Sequence, residues 1–361
     1  MPHPDPFVHV GLRWRERVAD QQEYSVIRDG NIFGAGLADS FLWKSDYERA
    51  ELLKRSLIAE YDGADLEDAL PGEEIGTPEG PCYEIVGRES WRSPFSPTAD
   101  LHRTLLSDLR LIPGIGEVTA RRLRGRGYPT VGDLLHHPRF RDEARRFLAE
   151  LEHGDACSLL DWMGRRFPQS HPLMLETSGI FSEEEFVFLD IETLGLFARP
   201  IILFGVGVVA GGRLEVHQYL LRDVSEEPAA LAATLAHLNQ ERVALVTFNG
   251  KTFDLPYLRE RAAYYGFSLP RALPHFDLLH FCRRRWKGQV PDCRLVTLER
   301  HIFHEKREGD VPSQMVPEFY DAYQHSGNCG PLVPIVEHNR QDVATLARIL
   351  VRLLEEGHAG S

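Results

Sequence analysis

Five side chains in the second half of the chain are of types that metal-assisted phosphodiester chemistry uses: Asp190 and Glu192, then Asp254, then His338 and Asp342. Asp190 and Glu192 close an apolar run, 186–189, that reads as a buried strand. At i and i+2 both carboxylates leave the strand on the same side. A strand end that sends out two carboxylates together is expensive unless something cationic is bound there. Asp254 stands in Phe248-Asn-Gly-Lys-Thr-Phe-Asp-Leu-Pro-Tyr257, just past the C-terminal end of a later strand, where α/β proteins usually bind ligands. His338 and Asp342, four residues apart on a helix, share a face. Four carboxylates can hold two divalent cations about 3.5–4 Å apart, one lowering the pKa of an attacking water and one stabilising a leaving 3′ oxygen. An all-oxygen donor set favours Mg²⁺ or Mn²⁺ over zinc. His338, whose ordinary pKa is near neutrality, is placed to take the water's proton.

Each motif alone has a bland reading. An Asp after a strand is often a turn or cap residue, Asn-Gly is a turn, and His-xxx-Asp is often a surface pair. The order and placement of all three together are hard to obtain by accident. The elements that must position them are legible from the apolar pattern. Apolar runs at 186–191, 201–209 and 214–221 read as a three-strand meander, with Gly211-Gly212 as a hairpin turn. A helical stripe of Leu231, Leu235 and Leu238 follows, then a fourth strand at 243–248 and a helix carrying Leu255, Leu258 and Ala262. The segment 332–356 reads as a long helix with Val343, Leu346, Leu350 and Leu353 on one face. The expected fold class is α/β, a mixed sheet flanked by helices. Asp277, in His275-Phe-Asp-Leu-Leu-His280, reads either as a helix N-cap or as a nearby support of the site. Arg283-Arg-Arg-Trp-Lys287 reads as a phosphate or base contact, or equally as a solvated helix face.

Ahead of this region, residues 98–170 read as a small helical domain. Ile112-Pro-Gly-Ile-Gly116 makes a glycine-rich turn into a helix, so that Gly114 and Gly116 present backbone amides to a phosphate, with Arg121 and Arg122 close behind. Thr130 is expected to cap a helix over 131–135. Residues 1–97 show a helix at 47–61 and a strand at 82–86, with no evident role, and 93–97 reads as a linker.

Bulk composition is permissive. With 361 residues and 43% hydrophobic content the chain has room for two or three domains and a sizeable core. A net charge of −13 argues mildly against a protein that simply coats nucleic acid, but charge is uneven, with arginines concentrated over 103–146. The N-terminus lacks the blocks of a signal peptide, no apolar stretch approaches a membrane span, and the five scattered cysteines read as reduced thiols, so a cytoplasmic location without a membrane partner is expected.

The segments Phe188-Leu-Asp190-Ile-Glu192-Thr, Asn249-Gly-Lys-Thr-Phe-Asp254-Leu-Pro-Tyr-Leu and His338-Asn-Arg-Gln-Asp342-Val-Ala-Thr-Leu resemble the three exonuclease motifs of the DEDD superfamily. The layout as a whole is similar to bacterial YprB-type exonuclease-domain proteins. The resemblance implies a ribonuclease-H-like domain at 180–356, behind a helix-hairpin-helix module at 98–170. It further implies two-metal 3′→5′ degradation of DNA or RNA, with Asp190, Glu192, Asp254 and Asp342 as metal ligands. Asn249 and Lys251 fall in the motif expected to meet the nucleic acid. One departure stands out. The superfamily's third motif places Tyr four residues before its last Asp, or His five before. His338 has the tyrosine's spacing, which leaves it either the general base or a residue that positions the water. Two alternatives keep the fold: a non-catalytic nucleic-acid-binding module, and a structure-specific endonuclease.

Overall fold

Seven strands, β1 (Glu73–Thr77), β2 (Gly80–Ser90), β3 (Phe186–Thr193), β4 (Ile201–Ala210), β5 (Arg213–Leu220), β6 (Ala244–Thr247) and β7 (His275–Asp277), form one sheet in the order β1-β2-β5-β4-β3-β6-β7. The coordinates are a computed structural model and describe residues 37–93, 98–195, 198–307 and 309–359. Most of the expected linker at 93–97 and the N-terminal residues read for a signal peptide lie outside the described residues. Helix Leu37–Glu60 begins in a first unit, residues 1–52; all that follows concerns the second unit, residues 53–361.

The sheet is mixed, as read from the sequence. The meander β3-β4-β5 is antiparallel, and β6 and β7 continue parallel to β3. The far edge comes from the segment 1–97: β2 runs antiparallel along the whole of β5, from Tyr83 opposite Leu220 to Ser90 opposite Arg213, and β1 pairs with β2.

Alternation along β3 sets the polarity of the site. Val187, Leu189 and Ile191 enter one core cluster with Leu231, Leu235, Leu255 and Leu258. Phe186 and Phe188 enter the other, with Val343, Leu346 and Leu350 of the C-terminal helix. Asp190 and Glu192 follow the phenylalanines in the period-two pattern and so emerge on the face that the C-terminal helix covers.

Five helices matter below: α1 (Glu117–Arg124), α2 (Glu227–Leu238), α3 (Asp254–Tyr265), α4 (Leu278–Trp286) and α5 (Val333–Ala359). Helix α5 packs on β3, β4 and β5 because β4 opposes it with Gly205 and Gly207. A Cβ added at Gly205 would stand 2.2 Å from the Asn339 side chain, and one at Gly207 would stand 2.7 Å from Val343. The two glycines let the helix backbone come close enough for its side chains to reach the strand ends.

The regular helical turn begins at Asp133 rather than at 131 (Asp133–His136). Thr130 still caps it: the Thr130 hydroxyl accepts from the Asp133 amide at 3.3 Å, while the Asp133 carboxylate accepts from the Thr130 amide and hydroxyl at 2.8 and 2.7 Å. Among the described residues no helix is long and apolar enough to cross a membrane, and the five cysteines are free.

Candidate active site

The three motifs converge where β3 ends, α3 begins and α5 passes overhead. Asp190 lies within electrostatic reach of Asp342, Glu192 and Asp254 at once. Burial, followed by these three like charges, pushes its carboxyl well above the usual range, against a smaller opposing pull from His338. Asp254 is 5% exposed, and burial pushes it up to about 7, although the amides of Asp254 itself and Ile191 pull the other way. Glu192 sits where β3 breaks register between Glu192 and Thr193, a bulge that turns the strand end towards α5.

Each carboxylate has its own holder. Asn339 donates its side-chain amide to the Asp190 carboxylate at 2.8 Å and to the Asp190 carbonyl at 3.1 Å. Its oxygen in turn accepts from Gln218 of β5 at 2.8 Å. Asp254 is placed by a turn in which Asn249 takes a left-handed backbone (φ 65°), a conformation asparagine tolerates better than most residues. Asp277 locks that turn by accepting from the amides of Asn249 and Lys251 at 2.8 and 3.1 Å, while also capping α4 through Leu279 at 3.2 Å. Both sequence readings of Asp277, cap and support, therefore describe the same carboxylate.

His338 faces two ways. Its Nε2 is 3.5 Å from Asp342 and 3.7 Å from Glu192, while Nδ1 donates to Asp310 at 2.6 Å. Burial alone would lower its pKa, but Asp342, Asp310 and Glu192 together raise it to about 10.

The sequence reading missed a second cation. Arg307, 3% exposed on its side chain, forks onto Glu299 with two bonds of 2.6 Å and reaches Asp342 with the same Nη2. Glu299 also accepts from Thr345 at 2.5 Å and Gln341 at 3.3 Å. Glu299, Arg307 and Asp310 fall in a stretch of short turns after α4, where no periodic pattern marks a residue as buried. The missed holders Asn339 and Gln218 left a fainter signal: Asn339 follows His338 directly, but its target is known only once strands are paired.

As these side chains stand, no three His, Cys, Asp or Glu among the described residues meet at metal-binding geometry. Asp190 is engaged by Asn339, and Asp342 by Arg307. The donor set itself fits hard divalent ions, being four oxygen ligands whose mutual repulsion lifts Asp190 and which a cation would relieve.

The other expected contacts sort differently. Lys251 Nζ bonds Gln169 at 3.1 Å, tying the Asn249 turn to the end of the helical block, and burial lowers its pKa. Gly114 takes φ +83° at the turn before α1, and Gly116 is the N-cap of that helix. Arg121 and Arg122 are exposed and make no ion pair with a described residue. Trp286 is 2% exposed and bonds Glu356 at 3.3 Å, so it packs in the core and cannot stack on a base; Arg285 is held by the same glutamate at 2.6 Å.

Residues 187–354 match the model of the family RNase_H_2, of the RNase H superfamily, and the mixed sheet flanked by helices in this part of the chain is an RNase H-like fold. Members of that superfamily are typically nucleases, generally with divalent metal ions. Over 189 residues the chain is 32% identical to the uncharacterized protein YprB of Bacillus subtilis (strain 168), a stretch that is 50% of this chain and 45% of that protein. The chain thus spans about half the length of the curated relative it matches.

Proposed function

We propose that the chain is a divalent-metal-dependent 3′→5′ exonuclease acting on DNA or RNA. The observation that carries this reading is the simultaneous electrostatic contact of Asp190 with Glu192, Asp254 and Asp342, contributed by a strand end, a helix start and a second helix. Asp190, Glu192, Asp254 and Asp342 would hold two Mg²⁺ or Mn²⁺ ions, which when bound lower the pKa of water and stabilise a leaving oxygen.

The chain's own groups supply the rest. Asp277 holds the Asn249–Lys251 turn rigid at the mouth of the site, where it would meet the nucleotide. His338 presents Nε2 towards Glu192 and Asp342, the edge from which a water would be oriented or deprotonated. Asp310 fixes the ring by accepting a hydrogen bond from Nδ1–H. In the helical block, Gly114 and Gly116 with Arg121 and Arg122 would grip a phosphate backbone without reading sequence.

The test is a Mn²⁺-dependent digestion of 5′-labelled single-stranded and duplex DNA and RNA by wild type and Asp190→Asn. A ladder shortening from the 3′ end, seen only with wild type, is expected. Equal activity in both proteins, or internal cuts in a 3′-blocked substrate, overturns the reading.

A further inference from the structure

We infer that Arg307 is a built-in counter-cation of the candidate metal site: it occupies the Asp342 carboxylate when no divalent ion does, and so sets how tightly such an ion is held. The inference rests on the metal reading above and adds a residue to which neither the motifs nor the superfamily assigns a role.

The geometry separates Arg307 from an ordinary structural arginine. Nε and Nη2 are spent on Glu299, at 2.6 Å each, and these two bonds anchor the guanidinium whatever else it does. The contact with Asp342 is an addition made by Nη2, on an oxygen that the site would need as a ligand. Nη1 lies 3.9 Å from Asp310 and 3.2 Å from His338 Nδ1, on the wall of a cleft of about 170 Å³ that Gly309, Asp310, His338 and Gln341 also line. A small rotation about the Glu299 fork can therefore release Asp342 while the guanidinium keeps Glu299 and turns towards Asp310. The charge balance gives that movement a consequence. Glu299, Asp310 and Asp342 all lie against the Arg307 guanidinium, and Asp342, Glu192 and Asp254 act together on Asp190. Arg307 relieves part of this repulsion and competes with an incoming ion for Asp342.

The experiment is calorimetric titration of Mn²⁺ into metal-free wild type, Arg307→Gln, Arg307→Lys and the double variant Glu299→Gln/Arg307→Met, with thermal melts of each protein with and without Mn²⁺. Removing the guanidinium is expected to tighten Mn²⁺ binding by about tenfold or more. The metal-free Tm should fall, and the rise in Tm on adding Mn²⁺ should exceed that of wild type. Arg307→Lys, which keeps the charge, should return the affinity towards wild type. The double variant removes the Glu299 charge together with its arginine, so that Asp342, which keeps His338 at 3.5 Å, is the one carboxylate that loses a partner; it provides the same reading if Arg307→Gln does not fold. Unchanged or weaker Mn²⁺ binding in a folded variant lacking the guanidinium overturns the inference. Failure of wild type itself to bind Mn²⁺ is a different result, and it removes the metal reading on which the inference stands.

Discussion

Two buried arginines in this molecule each fork onto a glutamate, and they differ in what lies beyond the fork. Arg261 of α3 bonds Glu227 of α2, with side-chain exposures of 8% and 0%. The remaining partners of Glu227 are neutral: the Tyr265 hydroxyl at 2.8 Å and the Ile201 amide at 2.9 Å, at the start of β4. That cluster is closed, and it pins two helices to a strand. Arg307 and Glu299 are as deeply buried, at 3% and 1%, but the third partner is Asp342. The same fork is thus a staple in one place and a coupling between scaffold and site in the other. A buried ion pair is weak evidence of net stabilisation anywhere; what it does is decided by whether its last acceptor has another use.

Breaking each region separately should give unlike outcomes. The largest effect is expected at the carboxylates: Asp190→Asn or Asp254→Asn should lower the rate of phosphodiester cleavage by about a thousandfold or more, since ion-stabilised charge contributes several kcal/mol to the transition state. Initial rates on end-labelled oligonucleotides measure this. Glu227→Ala should do the reverse, costing about 3–5 kcal/mol of stability by urea titration because Arg261 is left buried and unpaired, while activity per folded molecule persists. If Glu227→Ala also abolished cleavage in folded protein, the contrast between the two forks would be wrong.

Gly205→Ala lies between these extremes. The added methyl would meet the Asn339 amide at 2.2 Å, so the helix must shift or Asn339 must let go of Asp190. A loss of about 1–3 kcal/mol is expected from overpacking, with a fall in activity beyond what the unfolded fraction explains.

A pH effect should arise far from the carboxylates. Burial, and then the neighbouring His217, lower the pKa of His237 to about 4. The folded state therefore keeps this ring neutral while the unfolded chain takes up a proton as pH falls below about 6.5. Stability is lost across the window from about 6.5 down to about 4, on the order of 3 kcal/mol in all. His237→Asn lacks that loss, so its stability relative to wild type should rise as pH falls through the window in matched urea titrations. The smallest effect is expected on the helical block. Arg121→Ala/Arg122→Ala should weaken nucleic-acid binding several-fold and reduce the slope of log affinity against log salt by about 1–2, whatever the sequence bound.

The sheet was legible because its central strands carry unbroken apolar runs and one clear hairpin turn at Gly211-Gly212. The edge was not. Cys82 to Val86 reads as a strand locally, but its partner β5 lies some 130 residues on, and nothing in a single strand says which edge it joins. The site divides in the same way. Asp190, Glu192, Asp254 and Asp342 stand at ends of periodic elements, where a carboxylate is conspicuous. Glu299, Arg307 and Asp310 stand among short turns, where charged residues are ordinary until burial is known. Trp286 misled in the opposite sense: its arginine neighbours suggested a surface role, yet the helical period turns the indole inward and leaves the arginines outside.

The bond between Asn339 and Asp190 spans 149 residues of chain, and that between Arg340 and Glu89 of β2 spans 251. Helix α5 therefore closes two long loops, and closure entropy must be met before either contact returns anything. Chains dominated by such distant pairings fold slowly. The site is therefore enclosed only where α5 is docked, because its roof comes from the far end of the sequence. Without that helix Asp190 and Glu192 would sit at an open sheet end, where water screens their repulsion. Burial makes the repulsion count, and the same helix carries, or has held against it, the groups that offset it.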